Sequence, residues 1–404
     1  MFQDFNYLRK YILLNAINHF GPVSRTSLVE LSGYRPATVG AFISEFIEDK
    51  LVVESESISV GQGRKRTLLE INRAHLCTIC ISFSPKHINP VVIQSDGKII
   101  ANQKSAFSTD APTKEDAEAV AKTVQFFMEA FRDKMFIGIG LCEFLFESFQ
   151  PKAALNEWIK RDLMPLLHAI SDIPTYYFND VSLPSIAEKS FGVAKDVQNF
   201  MWINMANEIR ASLYFGGHDI KGACNAAGAL GHSVVDYHEH DTLCACGRRG
   251  CVEDNAAWPA IKQKIVSAMR NGVTTKLNEY GVAPEDITVV EVRRALDEGD
   301  RLCKYYVKQS AQEIGLAIAN AVNLLNPEML VTHGFMLRLG KTFKGLLEST
   351  IRENVLPENE NIEILLSDDF ENPMLMGAAA EIFSAYLVAD NYQWLYTIPV
   401  TSHE

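Results

Sequence analysis

Three of the chain's eight cysteines crowd into the stretch CACGRRGCVE, as Cys244, Cys246 and Cys251. The spacing is C-x-C-x4-C, with Gly-Arg-Arg-Gly in the gap. Glycines there let a loop fold back so that three thiolates converge on one point. A histidine completes a tetrahedral Cys3His set, and three are near in sequence: His232 in GALGH, and His238 and His240 closer to Cys244. A full protein shell of this kind holds zinc as a closed, structural ion. Its binding free energy staples the loop into the fold. The alternative is three buried free thiols. Eight cysteines in 404 residues fall short of a disulfide scaffold, and the N-terminus, MFQDFNYLRKYILLNAINHF, reads as an amphipathic helix without a cleavage site. A reducing cytosol is the expectation, and there clustered thiols are metal ligands.

The second group of chemically capable residues is basic and lies near the N-terminus. Phe5, Leu8, Ile12, Ala16 and Phe20 recur at helical spacing. After GPVS, Ser24 is placed to cap a short helix through Leu31, and Gly33 breaks it. Pro36 suits the first position of the next helix, with Val39, Phe42, Ile43, Phe46 and Ile47 as its buried stripe. Two short helices about a glycine turn form a helix-turn-helix, whose second helix enters the major groove of DNA. Strand-like LVVESESIS and RKRTLLEI then flank VGQGRKR, a hairpin wing carrying Arg64, Lys65 and Arg66. Such side chains gain from the negative potential of a narrow minor groove. The DNA-contacting candidates are Arg35, Pro36, Thr38 and Ser44 on the recognition helix, Arg25 and Thr26 near the backbone, and Arg64, Lys65 and Arg66 in the wing. The alternative is a solvated three-helix bundle without a ligand.

These groups need a scaffold, and the bulk composition supplies one. At 47% hydrophobic residues the chain can bury a sizeable core in two or three domains. No apolar run is long enough to span a membrane. The net charge of −12 is unevenly spread: residues 1–75 balance at +1, and the rest carry −13. Acidity is therefore confined to the part away from the basic wing. Alternating strands and helices follow: CTICISFSPKHINPVVIQSDGKIIANQ as strands, EDAEAVAKTVQFFMEAF as an amphipathic helix, KMFIGIGLCEF as a buried strand, and CKYYVKQSAQEIGLAIANAVNLL as a long helix before MLVTHG. The fold class is α/β.

The pieces together resemble the ROK family of repressors and sugar kinases, and specifically its transcriptional regulators. Gly231-His232 with Cys244 to Glu253 matches that family's Gly-His and C-x-C-G-x-x-G-C-x-E zinc motif. GQGRKRTLLEIN resembles the regulators' wing, YYFNDVSLPSIAEKSFG the segment with the kinases' Asn-Asp pair, and LLNPEMLVTHG the adenosine-side segment. The resemblance selects His232 as the fourth zinc ligand. It implies a winged helix-turn-helix at 1–75, then a two-lobed actin-like fold. The first lobe spans 76–190, completed by a helix near 375–390. The second lobe spans 191–374 with the zinc motif and a dimerisation surface, and a C-terminal helix and tail fill 375–404. It also implies that Asn179, Asp180, His232 and Glu253 face a sugar.

Departures from the pattern shape the functional expectation. The kinases' Asp-x-Gly-Gly-Thr turn is here Ser82-Phe83-Ser84-Pro85-Lys86, without carboxylate or glycine. The second phosphate loop reads MANEIRASLYFGG, where Asn207, Glu208, Arg210 and Ala211 stand in place of bare backbone. The adenosine segment keeps only HGFM. ATP binding and phosphoryl transfer are therefore not expected, and Asp180 is a ligand contact instead of a base, or else, with Asn179, a cap of the following helix. On the sugar side, the family's acid before Gly-His is Ala229, and LCEFLFESF replaces the usual Pro-Gly turn. The expectation is a cytoplasmic repressor, a homodimer or homotetramer, binding operator DNA and responding to a sugar or sugar derivative. Its rivals are a regulator controlled by a protein partner and an active sugar kinase with a DNA-binding head.

Overall fold

The computed structural model describes residues 5–58, 66–84, 87–108, 111–143, 153–178, 182–235, 243–366 and 372–387. The chain divides into two compact units, one of residues 1–144, 150–179 and 374–404, the other of 145–149 and 180–373.

The first unit begins with helix α1 (Phe5–Phe20), strand β1 (Val23–Ser24) and helices α2 (Arg25–Ser32) and α3 (Pro36–Glu48). Strands β2 (Val52–Ile58) and β3 (Arg66–Ile71) follow, and the three strands form an antiparallel sheet in the order β1-β3-β2. The Ser24 hydroxyl accepts the Ser27 N–H at 3.1 Å, the cap its residue type foretells. Pro36 opens α3 behind Arg35, whose side chain makes no cap bond. Val39, Ile43 and Phe46 are buried. In α1 the buried residues are Leu13, Leu14 and Ile17, whereas Ile12 is 40% and Phe20 54% exposed. Of the residues at helical spacing in α1, Ile12 and Phe20 therefore face outward and Ala16 is half-buried, and nothing is described of the Phe5 and Leu8 side chains. Apolar residues ring much of this helix, so spacing alone does not choose its phase.

Beyond it, β4 (Leu76–Ser84), β5 (His87–Gln94) and β6 (Ile99–Asn102) form an antiparallel meander, with β7 (Ser105–Ala106) paired to β5. Helix α4 (Lys114–Ala130) starts with a capping box between Thr113 and Asp116 and buries Ala117, Val120, Val124 and Phe127. Strand β8 (Met135–Glu143) joins β4 in parallel. Helices α5 (Ala153–Trp158) and α6 (Met164–Ile170) are linked by a π turn, and β9 (Thr175–Phe178) pairs with β8. The sheet order is β6-β5-β4-β8-β9. Phe83, Phe107 and Trp158 pack as one aromatic group, and the Trp158 indole N–H donates to the Thr113 carbonyl at 2.6 Å.

The second unit repeats the plan. After α7 (Leu183–Phe191), strands β10 (Phe200–Met205), β11 (Ile209–Phe215) and β12 (His218–Ile220) form a meander. Helices α8 (Val252–Ala256), α9 (Trp258–Arg270), α10 (Val289–Asp297) and α11 (Arg301–Leu325) then lead to β13 (Met329–His333). Helix α12 (Lys341–Asn354) and β14 (Glu363–Leu366) close a sheet of order β12-β11-β10-β13-β14. Three antiparallel strands followed by two parallel ones describe both sheets. The Met201, Ile203 and Met205 face of β10 packs into a large core with α9, α11 and α12. Helix α13 (Pro373–Leu387) rejoins the first unit from Met374, where the Tyr386 hydroxyl reaches the Met135 sulfur. Among the described residues, no helix is long and apolar enough to cross a membrane.

Candidate functional site

The metal-capable cluster assembles from two pieces of the second unit. A single 3-10 turn at Leu230–His232 carries the histidine. The loop before α8 carries the thiols, turned back by a Gly247 N–H to Cys244 carbonyl bond of 2.8 Å. Cys251 forms an isolated bridge with Val234, which stitches the pieces together. His232 Nδ1 lies 3.6 Å from Cys244 Sγ, and Cys246 Sγ lies 3.6 Å from Cys251 Sγ. All four donor atoms fall within 4.8 Å of one another. A tetrahedral zinc with bonds of ~2.3 Å to sulfur and ~2.0 Å to nitrogen needs ligand edges of about 3.5–3.8 Å, close to the two 3.6 Å separations, so the set fits. The sulfurs are too far apart for disulfides, and all eight cysteines are free thiols. Burial works against ionising Cys246, but hydrogen bonds from the Arg248 backbone and side chain bring its pKa to about 7. Burial pushes Cys244 up and Cys251 up to about 12. Cys246 is thus the thiol readiest to be a thiolate. His238 and His240 lie outside the described residues.

Behind His232 sits Glu253, on the first turn of α8. Its Oε1 is 3.9 Å from His232 Nε2, and its Oε2 accepts the Ile209 N–H at 3.1 Å. At that separation the carboxylate acts on the imidazole through its charge, not through a hydrogen bond. Gly231 makes this approach achievable: a Cβ there would sit 2.5 Å from the Ile209 carbonyl oxygen and 2.9 Å from Glu253 Oε2. The link from Glu253 to Ile209 was not foreseen in the sequence, because a backbone N–H has no sequence signature. Asn179 and Asp180, the other two effector candidates, lie outside the described residues. Ala229 precedes the 3-10 turn and brings no side-chain bond.

Ile209 opens β11, immediately after the hairpin that would be the second phosphate loop. That turn closes with an Ala206 N–H to Glu208 carbonyl bond of 3.1 Å. Glu208 pairs with Arg210 at 3.2 Å, and their side chains are 12% and 8% exposed. The Glu208 carboxylate, a charge that would repel a phosphate, is thus neutralised by the neighbouring guanidinium. At the adenosine-side segment, His333 stacks on Trp202 with ring centroids 5.5 Å apart and planes at 24°. Gly334 adopts φ +111°, and a Cβ there would overlap the Met205 backbone. Packing against β10 therefore accounts for this glycine. In the first unit, Phe83 is buried among aromatic rings and the Ser84 hydroxyl donates to the His87 carbonyl at 2.9 Å. Pro85 and Lys86 lie outside the described residues. Another unforeseen group is the buried Glu143 at the end of β8, which accepts from the Tyr177 hydroxyl.

Of the DNA-contacting candidates, Thr26, Arg35, Pro36 and Ser44 are exposed, while Thr38 and Arg25 are half-buried. Arg25 pairs with Glu54 at 2.9 Å. Arg66 begins β3. Arg64 and Lys65 lie outside the described residues, and nothing is described of the Arg66 side chain.

A winged three-helix head and two α/β sheets of one strand order define the class: a regulator-type chain on a sugar-kinase-like, actin-like scaffold. The ROK family profile matches residues 78–383, and the chain belongs to that family. The xylose repressor of Caldicellulosiruptor bescii is 25% identical over 392 residues, covering 95% of this chain and 98% of its own. The DNA-binding transcriptional dual regulator NagC of Escherichia coli is 22% identical, covering 92% and 91%. Among solved structures, a ROK family transcriptional regulator homologous to the Escherichia coli MLC protein superposes with a TM-score of 0.74 at 21% identity, over 94% of this chain and 96% of that one. A ROK family glucokinase from Streptomyces griseus, solved with glucose and AMPPNP, gives 0.58 at 18% identity, over 75% of this chain and 98% of that one. The expected α/β architecture, a regulator's head before a two-lobed kinase-like body, is the one observed.

Proposed function

We propose that this chain is a DNA-binding transcriptional regulator of carbohydrate use, acting as a repressor. Its kinase-like body takes a sugar or sugar derivative without phosphorylating it. Residues 1–75 are the DNA-binding domain; 76–190, completed by a helix near 375–390, and 191–374 are the two lobes, and a C-terminal helix and tail fill 375–404. Asn179, Asp180, His232 and Glu253 are the effector contacts. One structural zinc per chain is held by His232, Cys244, Cys246 and Cys251. Zinc there supplies a fixed tetrahedral anchor and no chemistry on the effector. The protein works in the cytoplasm as a homodimer or homotetramer, because two heads are needed to read a pseudo-palindromic operator. The effector acts only through different affinities for the DNA-binding and released states.

The observation that carries this reading is the Glu208–Arg210 pair, buried in the hairpin where a kinase presents bare backbone, on a chain that also has an exposed recognition helix. The relatives' names, xylose repressor and NagC, point the same way. The test is a genomic footprint of bound sites, run beside incubation with ATP, magnesium and a hexose panel. Sites beside carbohydrate genes and no turnover are expected; sustained phosphorylation would overturn the non-catalytic assignment. The replacement of the family's acid by Ala229 keeps a second reading in view, control by a protein partner. Calorimetry with sugars against a pull-down separates the two.

A further inference from the structure

We propose that the first two turns of α3 read thymine methyl groups, so that the DNA beneath this helix is A·T-rich. Any guanine there is contacted only by Arg35. The proposal rests on the DNA-binding reading above and sharpens it.

Val39, Ile43 and Phe46 turn α3 toward the core. The opposite face presents Ala37, Ala41 and Ser44, all exposed, with Gly40 between them. Bidentate readers of bases are Arg and Lys for guanine and Asn and Gln for adenine. None of these four occurs anywhere in PATVGAFISEFIE, the whole of α3. The polar side chains that do occur are engaged, half-buried or distant. The Ser44 hydroxyl donates to the Gly40 carbonyl at 3.0 Å. Glu45 is held by Lys10. Thr38 is half-buried. Glu48 follows Ala37 by eleven residues, or about 16 Å along the axis, whereas base edges meet the helix's N-terminal half. Arg35, exposed at the N-cap and without a cap bond, is the long donor at the end that enters the groove. What remains on the groove face is methyl surface and bare backbone. The C5-methyl of thymine is the apolar group the major groove offers. Small side chains also let the helix axis come close enough for methyl to meet methyl.

The test starts from duplexes selected by the full-length, zinc-loaded protein out of random DNA. Thymines of the recovered site are replaced singly by deoxyuridine, which removes only the methyl. Affinity should fall about fourfold at each thymine facing Ala37 or Ala41, roughly the worth of one buried methyl, and be unchanged at thymines outside the footprint of α3. Ala41→Gly should lose a similar factor on thymine DNA and nothing further on DNA carrying deoxyuridine at its partner position. That coupling separates methyl contact from any weakening of the helix. If a selected site tolerates deoxyuridine throughout, methyl reading is overturned while DNA recognition stands. If selection enriches no sequence, the DNA-binding reading itself falls.

Discussion

The zinc loop and the β10–β11 hairpin touch at Ile209, yet they have diverged in opposite ways. The loop keeps every residue of the zinc motif it resembles, with four possible donor atoms gathered within 4.8 Å of one another. The hairpin, where the resemblance implies phosphate-cradling glycine in the kinases, holds instead the Glu208–Arg210 ion pair. A metal site tolerates no partial loss, because ligand count and geometry must be met together. A hairpin without a metal to hold tolerates varied side chains, provided that each buried charge finds a partner. Glu253 joins the two regions, with one oxygen 3.9 Å from the His232 imidazole and the other accepting the β11 N–H.

The largest expected effect lies on the metal side of that contrast. Cys251 is fully buried and bridges to Val234. Cys251→Ala should take zinc from one per chain to near none by native mass spectrometry. The accompanying loss of stability is about 4 kcal/mol, in the range of a lost metal site. Zinc retained by the variant would show that the cluster is not the ligand set. On the hairpin side, Glu208→Ala removes the carboxylate beside the buried Arg210, at a cost of about 3 kcal/mol. For a unit of this size thermal unfolding would move down by ~6–12 °C. Zinc content should not change, and a joint loss would mean that the two regions form one cooperative structure.

Between these lies the residue they share. Glu253→Gln keeps an oxygen for the Ile209 N–H but loses the negative charge behind His232. Zinc affinity should weaken ~10–100-fold, about 1.4–2.8 kcal/mol, with little change in the hairpin. Competition with a chelator measures it, and an unaltered affinity would remove Glu253 from the metal's support.

The same contrast governs how much could be read beforehand. Cysteines at C-x-C-x4-C announce their chemistry by type and spacing, and the choice of His232 followed from the Gly-His resemblance. Ser24 and Pro36 are likewise local signals, and the cap and helix start lie where the residues put them. The face of α1 was not legible, since Leu13, Leu14 and Ile17 compete with Ile12 and Phe20 at equivalent spacings and only packing decides. Nor was the fate of Glu208: its charge is visible in the sequence, but its pairing with Arg210 depends on where the hairpin turns. The acceptor role of Glu253 toward Ile209 and the Tyr177–Glu143 bond join segments far apart in the chain, and no local pattern encodes them.

The smallest expected effect is the most discriminating for the hairpin. Replacing both members of its ion pair, Glu208→Gly with Arg210→Gly, restores backbone of the kinase type without leaving a lone buried charge. If one loop had been the whole loss, magnesium–nucleotide binding should return. It should not return here, because the departures from the kinase pattern are spread over separate segments. His333 still stacks on Trp202 at the end of β13, and Gly334 still serves packing against Met205. In the first unit, Ser82, Phe83 and Ser84 still lack the carboxylate and glycines that place magnesium and phosphate. Calorimetric titration with ATP and magnesium should therefore show no heat of binding for the double variant, as for the parent chain. A measurable affinity would relocate the whole difference between this regulator and its kinase relatives into two residues of one turn.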